Sequence, residues 1–245
     1  MQTLEPLMVE DKVFWQRYAE VYDALLEVIP YRNLLLELID HAGISNDHRV
    51  LDICCGTANL LWALKQRGLS PHVTGIDYSE SMLEQANLKK QAFDGTVDFC
   101  RVNLDEPLSP GVISGLYDRL IINNALYALR DPAEALIKFG TLAAPGAILV
   151  VSTPRPHPSA SAVLDEHIRL AEAGGHEGAA LRRLLPQLNP LIACNKILVE
   201  RYGNTLHFPS EAQLHEWFKG SGWKIDHIGT NYVGQNWLII ASKMP

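Results

Sequence analysis

A chain of 245 residues with 47% apolar content can bury a full α/β core, and its formal net charge of −7 argues against a large basic footprint for nucleic acid. No apolar run approaches the roughly eighteen residues of a membrane span, and "MQTLEPLMVEDK" lacks the apolar stretch of a signal peptide. Four cysteines without a repeated spacing suggest reduced thiols, so a cytoplasmic protein is expected, with no nucleic-acid or membrane partner.

From Asp11 to Ile29, Phe14, Tyr18, Val21, Tyr22 and Leu25 recur at helical spacing and predict an amphipathic helix. A second helix is predicted over Tyr31 to Ala42, stopped by Gly43. The period then changes. "RVLDIC" (49–54) is a short apolar run with β-branched residues, the pattern of a buried strand. "ANLLWALKQRG" (58–68) reads as a helix ending on glycine, and "HVTGID" (72–77) as a second strand. Ser79 is the expected N-cap of the helix "ESMLEQANLKKQA". "VDFCRV" (97–102) and "DRLIIN" (118–123) are a third and a fourth strand. Asp131, Pro132 and Glu134 then supply a cap, a first-turn proline and a first-turn acid for the next helix. "APG" (144–146) turns the chain into "AILVVS" (147–152), the fifth strand.

Beyond Thr153 the alternation stops. "TPRPHPSAS" is a proline-rich loop, and residues 160–200 carry helix-like pieces separated by "GGHEG" (174–178). Leu181, Leu184, Leu185 and Leu188 make one apolar face there, interrupted by Pro186 and expected first to pack in the core, with a substrate pocket or dimer contact as the other readings. Ser210 and Gln213 form a capping-box pattern for a helix to about Lys219. "WKIDHIGT" (223–230) and "NWLIIAS" (236–242) close the chain as an antiparallel pair. The expected fold is α/β, Rossmann-like and doubly wound: a mostly parallel seven-stranded sheet with helices on both faces and a helical lid after strand five. One domain is expected over 1–245, with an N-terminal helical cap over 1–45 and a lid or substrate segment over about 153–208.

In such a sheet the ligand sits at the carboxyl ends of the strands, so the loop after strand one, "DICCGTAN", carries the chemistry. A dinucleotide turn would need glycines at 54, 56 and 59, where the chain has Cys54, Gly56 and Asn59. A phosphate loop lacks its Gly-Lys-Ser/Thr, and adjacent cysteines lack the spacing of a tetrahedral metal site, so no metal is expected. Cys54 and Cys55 read as small, fairly apolar residues filling a tight turn. What suits the loop is a cofactor with a cationic amino-acid end and no phosphate. Asp52 can favour the positive charge, Gly56 allows close backbone approach, and Asp77 ends strand two where a carboxylate can accept from both hydroxyls of a ribose.

"VLDICCGTANL", "VTGIDYSESMLEQA", "VDFCRVNLDEPL" and "YDRLIINNALYALRDPAEALIKFGTLAAPGAILVVSTP", in that order and spacing, resemble the class I S-adenosylmethionine-dependent methyltransferases from roughly Tyr18 to Pro154. The resemblance implies S-adenosyl-L-methionine as cofactor, with its methionyl part held by Asp52, Cys54 and Gly56 and its ribose by Asp77. It places Tyr78 and Met82 near adenine, followed by Asn103 and Leu104, and sets Asn123 and Asn124 between cofactor and substrate. The chain departs from the family where a G-x-G becomes Cys54-Cys55-Gly56, where Ala58 replaces another common glycine, and where Asn103 replaces the usual aspartate.

Methyl transfer is an in-line displacement, and alignment supplies much of the rate. A base matters only for an acceptor that must lose a proton early. His157, in "PRPHP" after strand five, is the candidate base and substrate contact, against the bland reading of a solvated loop histidine. His167, on the stripe Ala160, Leu164, Ile168 and Ala171, is expected to pack. The resemblance suggests that Tyr18 and Tyr22 close over cofactor and substrate, Tyr18 with a share in catalysis; packing of an amphipathic helix against the sheet is the other reading. Tyr127 likewise contacts substrate or packs. The leading function is methyl transfer to a small molecule through N, O or C, by a monomer or homodimer. A cofactor-binding protein without transferase activity stays open, and the failed glycine pattern counts against an NAD(P)-dependent oxidoreductase.

Overall fold

A computed structural model describes residues 12–108, 111–174 and 179–245, with the backbone alone for 179–183. Three expectations fall wholly or partly outside these residues: the first eleven residues of the N-terminal cap, the separating segment at 175–178, which includes His176, and the packing of the Leu181 side chain. Helix α1 (Lys12–Tyr22) gives way to a 3-10 turn (Asp23–Glu27), and α2 runs over Ile29–Ala42. The helix expected through Ile29 therefore breaks at Tyr22. Pro30 sits in the first turn of α2, where a missing N–H costs nothing, and Val28 ahead of that turn is extended.

The remaining elements alternate: β1 (Arg49–Ile53), α3 (Leu60–Gln66), β2 (His72–Asp77), α4 (Glu80–Lys90), β3 (Val97–Arg101), β4 (Tyr117–Asn123), α5 (Pro132–Leu142) and β5 (Ala143–Pro154). Then come α6 (Ala160–Ala173), α7 (Ala179–Tyr202), α8 (Glu211–Phe218), β6 (Trp223–Asn231) and β7 (Asn236–Lys243). Three caps form as the sequence predicts. Ser79 accepts from the Met82 N–H, Asp131 from the Glu134 N–H, and Ser210 with Gln213 closes a full capping box. Residues 144–146 do not turn the chain. Ala143 already pairs with Tyr117, and the register shifts before Arg119 meets Ile148, so the strand carries an irregularity where Gly146 takes a φ of +76°.

The sheet runs β3-β2-β1-β4-β5-β7-β6. It is mixed: β1 to β5 pair in parallel, and β7 enters antiparallel between β5 and β6. Successive residues of the central strands feed opposite cores. Val50, Ile121 and Val150 pack with α2 and α3 on one face, while Leu51, Ile122 and Val151 pack with α5 and α8 on the other. The strand order reverses between β1 and β4, where β2 and β3 lie to one side and β5 to the other. That reversal opens a crevice at the carboxyl ends of the strands.

Candidate functional site

The loop after β1 carries three left-handed residues in alternation, Cys54 (φ +54°), Gly56 (+53°) and Ala58 (+59°). These are the positions where a glycine-rich turn would stand, and two of them hold side chains at a cost of about 1–2 kcal/mol each. The same geometry delays α3, which starts at Leu60 rather than at 58. The turn is held from below. Lys89 donates to Asp23 (2.7 Å), Asn59 (2.7 Å) and Thr57 (3.1 Å), and the Thr57 hydroxyl donates to Asp23 (2.6 Å). One half-buried ammonium thus ties the 3-10 turn, the loop and α4 together. Asn59, buried in this cluster, points away from the crevice.

Asp77 ends β2 beside the loop. Its carboxylate accepts from the Gly56 and Ser79 N–H groups at 2.9 Å each, yet burial still pushes its pKa up. Arg101 lies 4.9 Å above the Tyr78 ring and donates to the Tyr78 carbonyl, which fixes that ring at the crevice edge. Met82 is set by the Ser79 cap. The crevice widens into a cavity of about 660 Å³, within the range that encloses small-molecule ligands.

Most of the expected residues meet on its wall: Tyr18, Tyr22, Cys54, Gly56, Asp77, Tyr78, Met82, Asn103, Leu104, Asn123, Asn124 and Tyr127. Some differ in detail. The Asn103 side-chain oxygen accepts from the Asp105 N–H (3.0 Å) and its side-chain amide donates to Glu106 (2.9 Å), so the side chain closes a local turn and commits one of the two lone pairs of Oδ1. Asn123 Oδ1 is buried and has no protein partner. Asn124 stands at φ +51° and accepts from Asn236 (2.7 Å), which also donates to Ser152 (2.8 Å).

Two residues stand elsewhere. Asp52 is buried but does not line the cavity; burial first, and Asp77 second, raise its pKa to about 8. It alternates with Leu51 and Ile53, which face the α5–α8 core, and so belongs to the α2–α3 face of the sheet. His157 is exposed at φ +57° and is not among the lining residues. The prolines on either side hold its loop along the rim, with Pro158 lining and His157 turned out. His167 is a packing residue: its Nδ1 accepts from the Ile29 N–H (3.1 Å) and thereby caps α2. Burial keeps both thiols of the loop well above their ordinary pKa, and no cluster of three metal-ligating side chains occurs among the described residues.

Tyrosines dominate the far end. Tyr18 and Tyr22 from α1, Tyr31 from α2, Tyr127 after β4, and Tyr232 from the β6–β7 turn all line it. Burial raises every one of these pKa values, to about 12 for Tyr31 and Tyr127, so all stay protonated. The Tyr18 hydroxyl donates to Asn195 of α7 (2.7 Å), which makes it a clasp between helices and not a base. Tyr31, Tyr232, Asn195 and Asn236 escaped the sequence reading. Asn236 reaches the cavity because β7 runs antiparallel, so its first residue pairs with Pro154 at the carboxyl end of β5.

The cavity walls fit a nucleoside cofactor with an amino-acid end. Gly56 leaves its space open to the Tyr22 ring and the Met82 sulfur, 3.6 and 3.9 Å from where a Cβ would stand. Asp77 offers carboxylate lone pairs to hydroxyls, and the orphaned Asn123 oxygen calls for a donor such as an ammonium.

A family profile described as a methyltransferase domain matches residues 17–228. The chain is 31% identical over 145 residues to a ubiquinone biosynthesis O-methyltransferase of Hahella chejuensis, covering 59% of this chain and 58% of that one. It is 42% identical over 71 residues to a demethylmenaquinone methyltransferase of Leptospira interrogans, covering 28% of each. The matches thus span little more than half of the first relative and about a quarter of the second. Among solved structures, a methyltransferase in complex with the Trm112 activator of Haloferax volcanii aligns over 95% of this chain and 98% of that one, with a TM-score of 0.65 at 13% identity. The magnesium protoporphyrin IX methyltransferase of Synechocystis with bound S-adenosylhomocysteine aligns over 89% and 86%, with a TM-score of 0.56 at 18% identity. These two likenesses concern the fold.

Proposed function

The chain belongs to the class I S-adenosylmethionine-dependent methyltransferases, and we propose that it methylates a small, oxygen-bearing aromatic acceptor of the phenol or quinol class. The observation that carries the reading is the cavity's two unlike ends. Gly56, Asp77, Tyr78 and Met82 form one end, fit for the cofactor; the other is apolar and tyrosine-lined, with no histidine, lysine, arginine or glutamate among the described lining residues. S-adenosylmethionine, when bound, supplies a methyl group on a positively charged sulfur whose departure as a thioether needs no acid.

The chain's own residues then have three tasks. Asp77 takes the ribose hydroxyls while keeping the Gly56 N–H, and Asn123 takes the amino end. Neutral tyrosines, Tyr127 first, donate to the oxygen of the acceptor and orient it; alignment of this kind is worth about 7–11 kcal/mol. Helices α6 and α7 act as a lid that excludes water, with the Tyr18–Asn195 bond as its clasp.

The described lining residues include no histidine or lysine, and the Asp105 carboxylate accepts from the Arg130 N–H, so the acceptor ionises by itself, which suits an acidic phenol or quinol. The names of the two relatives, quinone-pathway methyltransferases, support the class. The test is transfer of isotope-labelled methyl to a hydroquinone, a catechol and a primary amine of similar size. Label on the phenolic acceptors is expected, with a pH–rate profile that shifts when ring substituents change the acceptor's own pKa. Label on the amine alone, or a profile indifferent to the acceptor, overturns the proposal.

A further inference from the structure

Helix α7 presents one continuous face to the cavity. Leu185, Leu188, Leu191, Ile192, Asn195, Leu198 and Val199 all line it, at the three- and four-residue steps of a single helix face. Only Asn195 is polar. Part of this face is inside: Leu188, Leu191 and Leu198 are buried. The other part is at the mouth, where Leu185, Ile192 and Val199 are 39%, 51% and 58% exposed. Those three stand seven residues apart, so they form an apolar row roughly 21 Å long at 1.5 Å rise per residue, with Pro186 and Pro190 inside the same stretch of α7. Ser159, Ser161 and Gln235 line another part of the cavity, while the α7 side is apolar apart from Asn195. The cavity runs out along α7 as a shallow apolar track, longer than a ring held against the methyl group needs.

We propose that this track binds a hydrocarbon chain carried by the methyl acceptor, with the chain leaving the tyrosine-lined end and lying along Leu185, Ile192 and Val199. The proposal rests on the reading of the tyrosine end as the acceptor site. Its occupant follows from continuity: the same helix face that walls the cavity continues outside it, flanked by Lys196, which pairs with Glu200, so a ligand seated within extends onto it. Scattered exposed apolar residues are ordinary, but an aligned row continuous with a cavity marks a binding surface. Leu88 on α4, 73% exposed and outside the cavity, is the scattered kind.

The experiment is calorimetric binding of a series of 2-alkyl hydroquinones, methyl to octyl, to the full chain saturated with S-adenosylhomocysteine. A parallel series of n-alkanols lacks the acceptor head. Each added methylene is expected to tighten Kd by about fourfold until the track is filled. Ile192→Asp and Val199→Asp should flatten that dependence, with thermal unfolding as the check on folding, and Leu88→Asp should not flatten it. Chain-length dependence in the alkanols, lost in Ile192→Asp, upholds the track even where hydroquinones fail to bind, a failure that removes the acceptor reading alone. Affinities independent of chain length in both series overturn the track. So does a dimer in sedimentation that Ile192→Asp converts to monomer with the chain-length slope unchanged, because the row then belongs to a second copy.

Discussion

Asp52→Asn is expected to stabilise the protein, and by an amount that depends on pH. The side chain is 5% exposed, has no cationic partner among the described residues, and holds its proton in the folded state up to a pKa of about 8. Unfolded, it titrates near 4. Below about pH 4 both states are neutral, and its contribution to stability is fully present. Between about pH 4 and pH 8 only the unfolded state sheds the proton, so stability falls as pH rises through that window. At pH 7 the loss is on the order of 4 kcal/mol, from about three pH units at 1.36 kcal/mol each. Asparagine copies the shape of the neutral acid and has no proton to lose. The variant should therefore melt roughly 8–16 °C above wild type at pH 7, at 2–4 °C per kcal/mol for a chain of this size, and close to wild type near pH 4. Asp77, also raised by burial, titrates in the same direction and keeps part of the slope in the variant. The assay is thermal unfolding by circular dichroism from about pH 4 to about pH 8. Melting curves for wild type and variant that run parallel across that range would refute the reasoning, because Asp52 would then be ionised or paired in the folded protein.

Asp77→Ala should weaken S-adenosylhomocysteine binding at least tenfold, since hydrogen bonds to a charged group are worth about 1.5–3 kcal/mol; equal affinity by equilibrium dialysis would mean the ribose site is misplaced. His157→Ala should keep kcat within about twofold, because the ring faces solvent; a fall of about a hundredfold would reinstate it as the base. Ala58→Gly should raise the melting temperature by about 2–4 °C, as relief of the left-handed strain exceeds the entropy that glycine adds to the unfolded chain. A lower melting temperature would show that residue 58 is unstrained.

What could be read in advance followed from local chemistry. The caps at Ser79, Asp131 and Ser210 need only neighbouring residues, and the buried strands announce themselves as apolar runs between turns. The lining role of Gly56 and Asp77 follows from their place at the ends of parallel strands. The break before α2 also had a local signal, the valine-isoleucine-proline run at 28–30, which the aromatic periodicity of α1 masked. The misses are non-local. Nothing near Asn236 reveals that β7 is inserted between β5 and β6, and that insertion alone carries it to the cavity. The tyrosine end is assembled from α1, α2, the segment after β4 and the β6–β7 turn, so its members share no spacing. Asp52 and His157 were placed by analogy with the loops that carry them, while their side-chain directions were decided by strand alternation and by a left-handed residue between prolines.

The central claim is that the crevice at the strand ends binds the methyl donor. Calorimetric titration with S-adenosylhomocysteine, with NAD as the parallel control, tests it most directly. Micromolar binding of the first and none of the second is the predicted result. Preference for NAD, or no binding of the nucleoside, would contradict the account.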